Sequence, residues 1–123
     1  MKHILAIMIA AILSVSSSGT ALAKADAYGI GVSSCSQYLS ERSSNRDVEY
    51  LYFSWAQGYI TRLNAYEAKL RGLDRMNLMP SGFGVDKQMS WINSYCATHG
   101  STLYADAALE LYRQIRGANG YTS

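Results

Sequence analysis

The stretch RDVEYLYFSWAQGYITRLNAYEAKL, residues 46–70, decides the fold. Its apolar side chains recur at Val48, Leu51, Tyr52, Trp55, Tyr59, Leu63, Tyr66 and Leu70. That spacing follows the helical repeat and not the two-residue alternation of a strand. Asp47 and Glu49 fall in the first turn, where a helix dipole favours anions, and Lys69 and Arg71 fall at the other end. Gly72 supplies the stop. Gly58 is the anomaly, because an interior glycine costs a helix about 1 kcal/mol relative to alanine. The expected compensation is a second helix crossing closely at that point.

Outward from this helix, the same logic gives three more. Ser33 or Ser34 can cap a short helix carrying Cys35, Tyr38 and Leu39, which runs out in Ser43, Ser44 and Asn45. Asp86 reads as the cap of a third helix through His99, with Met89, Ile92, Tyr95 and Cys96 on one stripe and Gly100 as its end. Ser101 or Thr102 caps a fourth, with Tyr104, Ala108, Leu111 and Ile115 inward and Gly117 as its end. Nothing reads as a strand. The expected fold is all-α: a small helical bundle of about four helices around one long central helix, stapled by one disulfide.

The connection from Gly72 to Val85 is long and apolar, with Leu73, Met76, Leu78, Met79 and Phe83. Long ordered loops often carry function; a loop of this composition also serves as a lid over the open edge of a small bundle. As a binding surface it offers Met76, Met79 and Phe83, with Tyr50 as a further surface aromatic on the long helix. The cluster Lys69, Arg71 and Arg75 has Glu67 and Asp74 among it and reads as a solvated helix end.

The chain opens with Met1, Lys2 and His3, an apolar run from Ile4 to Leu13, and small residues leading to Ala21, Leu22 and Ala23. This is the pattern of a secretory signal cut after Ala23. The apolar run is about half of the roughly 20 residues that span a bilayer. Ser33, Ser34 and Cys35 mimic a lipid-attachment box, but polar residues separate Cys35 from the apolar run. The expected organisation is therefore a signal over 1–23 and one helical domain over 24–123, with 24–32 a flexible lead and 118–123 a flexible tail.

Loss of Lys2 with the signal leaves ten of the eleven Lys/Arg, against nine Asp/Glu. Such a balance argues against nucleic acid as a partner. Both cysteines, Cys35 and Cys96, survive cleavage, and an even count in an oxidising compartment reads as one disulfide. Closing so long a loop stabilises the fold by about 4 kcal/mol on the chain-entropy estimate. Cleavage also removes His3, which leaves His99 as the one histidine. Zinc ligation then lacks ligands, and His99 fits a role at the end of its helix, beside free carbonyls. No serine lies in a nucleophile-elbow pattern. No acidic residue falls in an apolar setting that marks an acid/base pair or a buried carboxylate network. Neither catalysis nor a cofactor is expected.

Taken in order, Cys35, Tyr38 and Leu39, then Trp55, Gly58 and Tyr59, then Trp91, Tyr95 and Cys96, then Ala107, Ala108 and Leu111 form a pattern. It resembles that of small exported helical proteins, among them the immunity proteins of type VI secretion amidases (Tai-type). More distantly it resembles the HdeA-like periplasmic acid chaperones. The resemblance implies a periplasmic bundle that binds another protein. In the immunity members that protein is a secreted cell-wall amidase, bound often by a homodimer; in the chaperone members it is a failing client in acid. The chain is thus expected to be a periplasmic protein-binding module, not membrane-embedded after signal cleavage.

Overall fold

In a computed structural model the chain is described over residues 29–121. The secretory signal and its cleavage after Ala23 lie outside the described residues. Within them the fold is all-helical: α1 (Cys35–Ser44), α2 (Asp47–Arg71), α3 (Val85–Thr98) and α4 (Tyr104–Ala118), preceded by a 3-10 turn at Gly29–Val32. Extended backbone pairing is limited among the described residues to a single bridge between Ser34 and Leu103. A small helical bundle with one disulfide, joining Cys35 to Cys96, is what the sequence predicts and what the structure has.

At 1.5 Å per residue α2 is about 37 Å long, whereas α3 and α4 each run a little over 20 Å. No neighbour can therefore cover its whole length. α4 packs on both α2 and α3 and is the most deeply buried element, through Tyr104, Ala107, Ala108, Leu111, Tyr112 and Ile115. α1 closes the bundle against α2 and α3. The centre is aromatic: the rings of Tyr38, Tyr52 and Tyr104 meet at 4.8–4.9 Å. Ile60, Ile92, Leu111 and Ile115 complete the core.

Local chemistry sets the ends of most helices as expected, with informative exceptions. Ser34 caps α1, its hydroxyl accepting the Gln37 amide at 3.0 Å. Gly72 ends α2 in the left-handed region at φ 63°, where the Leu73 amide returns to the Ala68 carbonyl at 3.0 Å. The cap of α3 is Gly84 and not Asp86, which sits in the first turn and meets the dipole there. The cap of α4 is Leu103 rather than Ser101 or Thr102, because the amides of Cys35 and Tyr104 pair with the carbonyls of Thr102 and Ser33 and set that entry from the backbone. α4 also passes through Gly117 and ends at Asn119, whose side-chain amide donates to the Ile115 carbonyl at 2.9 Å.

Two expectations about α2 are corrected. Gly58 faces open space, with no helix crossing there. The buried stripe is Tyr52, Phe53, Ala56, Ile60 and Asn64, together with Glu49, rotated from the stripe read in the sequence. Leu51, Tyr66 and Leu70 are left on the surface, 58%, 62% and 67% exposed. For Tyr66 and Leu70 the excess length of α2 explains this, since apolar positions beyond its neighbours have nothing to pack against; Leu51, beside the buried Tyr52 and Phe53, is instead turned away from the core. The beginning of the described chain also differs from a loose lead. Gly29–Val32 packs on α2 and α4, and Gly31 is buried.

Gly31 lies so close to Trp55 that a methyl group in its place would overlap the indole. Gly31→Ala is expected to lower stability by about 1–3 kcal/mol, the usual range for overpacking. Urea unfolding at neutral pH measures it, and the tryptophan emission should shift in the folded baseline.

Candidate functional site

The loop between α2 and α3 is held from beneath by three side-chain amides. Buried Asn64 pairs with the backbone of Met76 in both directions: its Nδ2 donates to the Met76 carbonyl at 2.8 Å, and its Oδ1 accepts the Met76 amide at 2.9 Å. Gln88, wholly buried on α3, donates through Nε2 to the carbonyls of Leu78 and Phe83, both at 2.8 Å. Its Oε1 accepts from Gln57 of α2 at 2.9 Å. Asn119 donates to the Asn77 carbonyl at 2.8 Å. These bonds satisfy loop carbonyls that the lid would otherwise strand against the core. The loop is a lid.

The sequence-derived surface residues divide accordingly. Met76 and Phe83 are half-buried and pack against the core, whereas Met79 is 40% and Tyr50 62% exposed. Tyr50 lies in the first turn of α2, about 20 Å along the helix from the Asn64 that grips Met76. The structure does not bring the four together.

A different surface is brought together where α2 ends. Tyr66 and Leu70 are neighbours one turn apart, and Leu73 follows the cap, 54% exposed. Behind Leu73 lies a cleft lined also by Asn64, Glu67, Arg71, Tyr112 and Arg116. At its centre Glu67 accepts the Arg71 and Arg116 guanidiniums, each at 2.9 Å, and the Tyr112 hydroxyl at 2.5 Å. Burial, and then the Glu67 carboxylate, push the Tyr112 phenol well above its ordinary range, so it stays a donor. The cavity volume is about 30 Å³, room for roughly two water molecules. Tyr121 closes one side and is 42% exposed. Of the charged cluster read in the sequence, Glu67, Arg71 and Asp74 line this site and Lys69 and Arg75 do not; Arg116 and Tyr112 arrive from α4, which no local pattern foretells.

At the opposite end of α2 is a polar network that sequence composition did not reveal. Glu49, 8% exposed, accepts from Arg42 Nε at 2.9 Å and from Asn93 Nδ2 at 2.7 Å. Asn93 Oδ1 in turn accepts the Tyr38 hydroxyl at 2.7 Å. One carboxylate thereby ties α1, α2 and α3. Burial alone would raise the Glu49 pKa, but the bonds from Asn93 and Arg42 outweigh it and hold the pKa below its ordinary value near 4.5. Burial, and then the Glu49 charge, push the Tyr38 phenol up to about 12. Nearby, the Tyr52 hydroxyl donates to Glu41 at 2.8 Å.

His99 closes α3 with Nδ1 2.8 Å from the Tyr95 carbonyl, and its ring stacks on Tyr95 at 4.0 Å. Tyr95 stacks in turn on Trp91 at 5.2 Å. No group of three or more His, Cys, Asp or Glu stands close enough among the described residues to hold a metal ion. No helix among them is long and apolar enough to cross a membrane.

Because the folded pKa of Glu49 lies below its unfolded value, its contribution is full above about pH 4.5 and is lost as pH falls through the folded pKa. Glu49→Gln is expected to lower stability at pH 7 by about 1–3 kcal/mol, since Arg42 and Asn93 lose a charged acceptor. Thermal melting from pH 7 to 3 checks the sign: the gap between variant and parent should narrow in acid.

Comparison of the chain with protein-family models, with curated proteins and with solved structures finds no match.

Proposed function

We propose that the chain is an exported, non-catalytic protein-binding module, an immunity or inhibitor protein directed at a secreted cell-wall amidase. The observation that carries this reading is the surface at the C-terminal end of α2. Tyr66 and Leu70 stand exposed on the last turns of α2, and Leu73 and Tyr121, also exposed, border a small cleft there. Ligand pockets for small molecules run from about 300 to 1,000 Å³, an order of magnitude above this one. Exposed tyrosines near a notch that holds two arginines instead match the side chains enriched among the anchors of protein interfaces. The disulfide suits an oxidising compartment, and the likeness to Tai-type immunity proteins supplies the amidase.

Mature chain added to a panel of purified secreted cell-wall amidases should block one of them stoichiometrically. Tyr66→Asp with Leu70→Asp should abolish the block while the helical circular dichroism stays unchanged. A panel left fully active at equimolar inhibitor would remove the reading.

The Glu49 network favours one second reading, an HdeA-like acid-stress chaperone. Protonating Glu49 withdraws the carboxylate that joins three helices, which loosens the bundle in acid. Such a protein would bind an apolar dye and protect a client enzyme at about pH 2–3. A chain that remains folded and inert there is no chaperone.

A further inference from the structure

Gly58 sits near the middle of α2, exposed, with open space where a side chain would be. An interior glycine costs a helix about 1 kcal/mol relative to alanine. Nothing among the described residues offsets that cost, since no element crosses there. The residues that share its face are Asp47, Leu51, Ser54, Arg62, Ala65 and Lys69, all exposed except the half-buried Ala65. They recur at steps of three and four residues, the spacing of a seam between two helices. The order along this seam is symmetric about the glycine. Four residues before it stands Ser54 and four after it Arg62; seven away are Leu51 and Ala65; eleven away are Asp47 and Lys69. Each pair joins complementary side chains: a hydroxyl with a guanidinium, a large apolar group with a small one, an anion with a cation. Neither Asp47 nor Lys69 is in an ion pair among the described residues.

We propose that this face of α2 docks on the same face of a second copy of the chain, the two helices antiparallel and crossing at Gly58. A two-fold axis at the glycines sets each residue before Gly58 opposite the one equally far after it in the other copy. Asp47 then faces Lys69 of the second copy about 16 Å from the crossing, at 1.5 Å per residue, and the symmetry forms that ion pair twice. Leu51 lies over the small Ala65, and the Ser54 hydroxyl accepts from Arg62. With no side chain at the centre, the two backbones approach closely enough for these pairs to meet. A parallel arrangement would set Asp47 on Asp47, Arg62 on Arg62 and Lys69 on Lys69, so like charges select the antiparallel one. An unrelated partner would give this face no cause to be symmetric in sequence, which is why the occupant is a second copy. Leu70 comes one residue after Lys69, about 100° around the helix, and so points away from the seam. The proposal goes beyond the inhibitor reading and does not depend on it.

Sedimentation equilibrium of the mature, disulfide-bonded chain should show its mass rising with concentration toward twice the monomer value. Gly58→Leu should raise the dimer dissociation constant by about tenfold or more, because a side chain there holds the backbones apart. As a dilute monomer this variant should melt no lower than the parent, since leucine is the better helix former and open space receives it. Asp47→Lys and Lys69→Glu should each weaken self-association, the first by setting lysine on lysine, the second aspartate on glutamate. Their equimolar mixture should dimerise again, because each variant then meets the opposite charge at both ends. Mixing would not cure a merely local effect on the helix ends. A parent chain that stays monomeric at all concentrations, a dimer indifferent to Gly58→Leu, or a mixture no tighter than its components each overturns the proposal. So does a monomer that loses stability in Gly58→Leu, which would mean that another part of the same chain covers this face. A monomer whose block of an amidase disappears with Gly58→Leu overturns it too, and gives the face to the amidase. Dimerisation with the expected signs, but no amidase blocked, sinks the inhibitor reading and leaves the dimer standing.

Discussion

The bond between Cys35 and Cys96 joins residues separated by 61 positions and brings their Cα atoms to 4.8 Å, at a point where both side chains are fully buried. Backbone pairing surrounds it: Cys35 and Ser36 donate their amides to the carbonyls of Thr102 and Gly100, and Tyr104 donates to Ser33. The start of α1 is thus fixed at once to α3 and to the entry of α4. One turn later α1 places Tyr38 against Tyr104 and Tyr52. The aromatic centre depends on that placement, because no other element presents a ring from this side. The Asn93 and Glu49 network depends on it too, since Tyr38 and Arg42 both come from α1.

A bundle so closed at the α1 end is left with an uncovered length of α2 at the other. The lid over residues 72–84 solves part of this problem. It brings Met76, Leu78 and Phe83 back onto the core and satisfies its backbone on Asn64 and Gln88. What it leaves bare is the last turns of α2 with Tyr66 and Leu70, and the first residue past the cap, Leu73. The exposure of Tyr66 and Leu70 has its origin in the mismatch between a long helix and its short neighbours.

The two polar clusters on α2 differ in how they treat charge. Around Glu49 one carboxylate meets one guanidinium and two uncharged side chains in a hydrogen-bonded chain. Such a cluster is balanced and joins helices. Around Glu67 one carboxylate meets two guanidiniums near solvent. That cluster has unused donors and open space beside it. The buried cluster ties three helices together, whereas the ion pairs of the Glu67 cluster, nearer solvent, contribute less.

Four helices and their approximate limits were legible in the sequence because apolar spacing, Ser34 and Gly72 act locally. The pairing of Cys35 with Cys96 was legible because two cysteines allow one bridge. Local signals were less reliable where the backbone itself made the bond, so Asp86, Ser101, Thr102 and Gly117 are not the helix boundaries. Which apolar residues of α2 are buried was not legible, since Tyr66 and Leu70 share the angular position of residues that are wholly or partly buried. Helical spacing fixes only the angle of a side chain about its axis. Whether a neighbour reaches that angle at that height is decided by the lengths and crossings of the other helices. The same holds for Glu67, Tyr112 and Arg116. Their chemistry is written in the chain, but a site of two arginines on one carboxylate exists only where α2 and α4 run side by side.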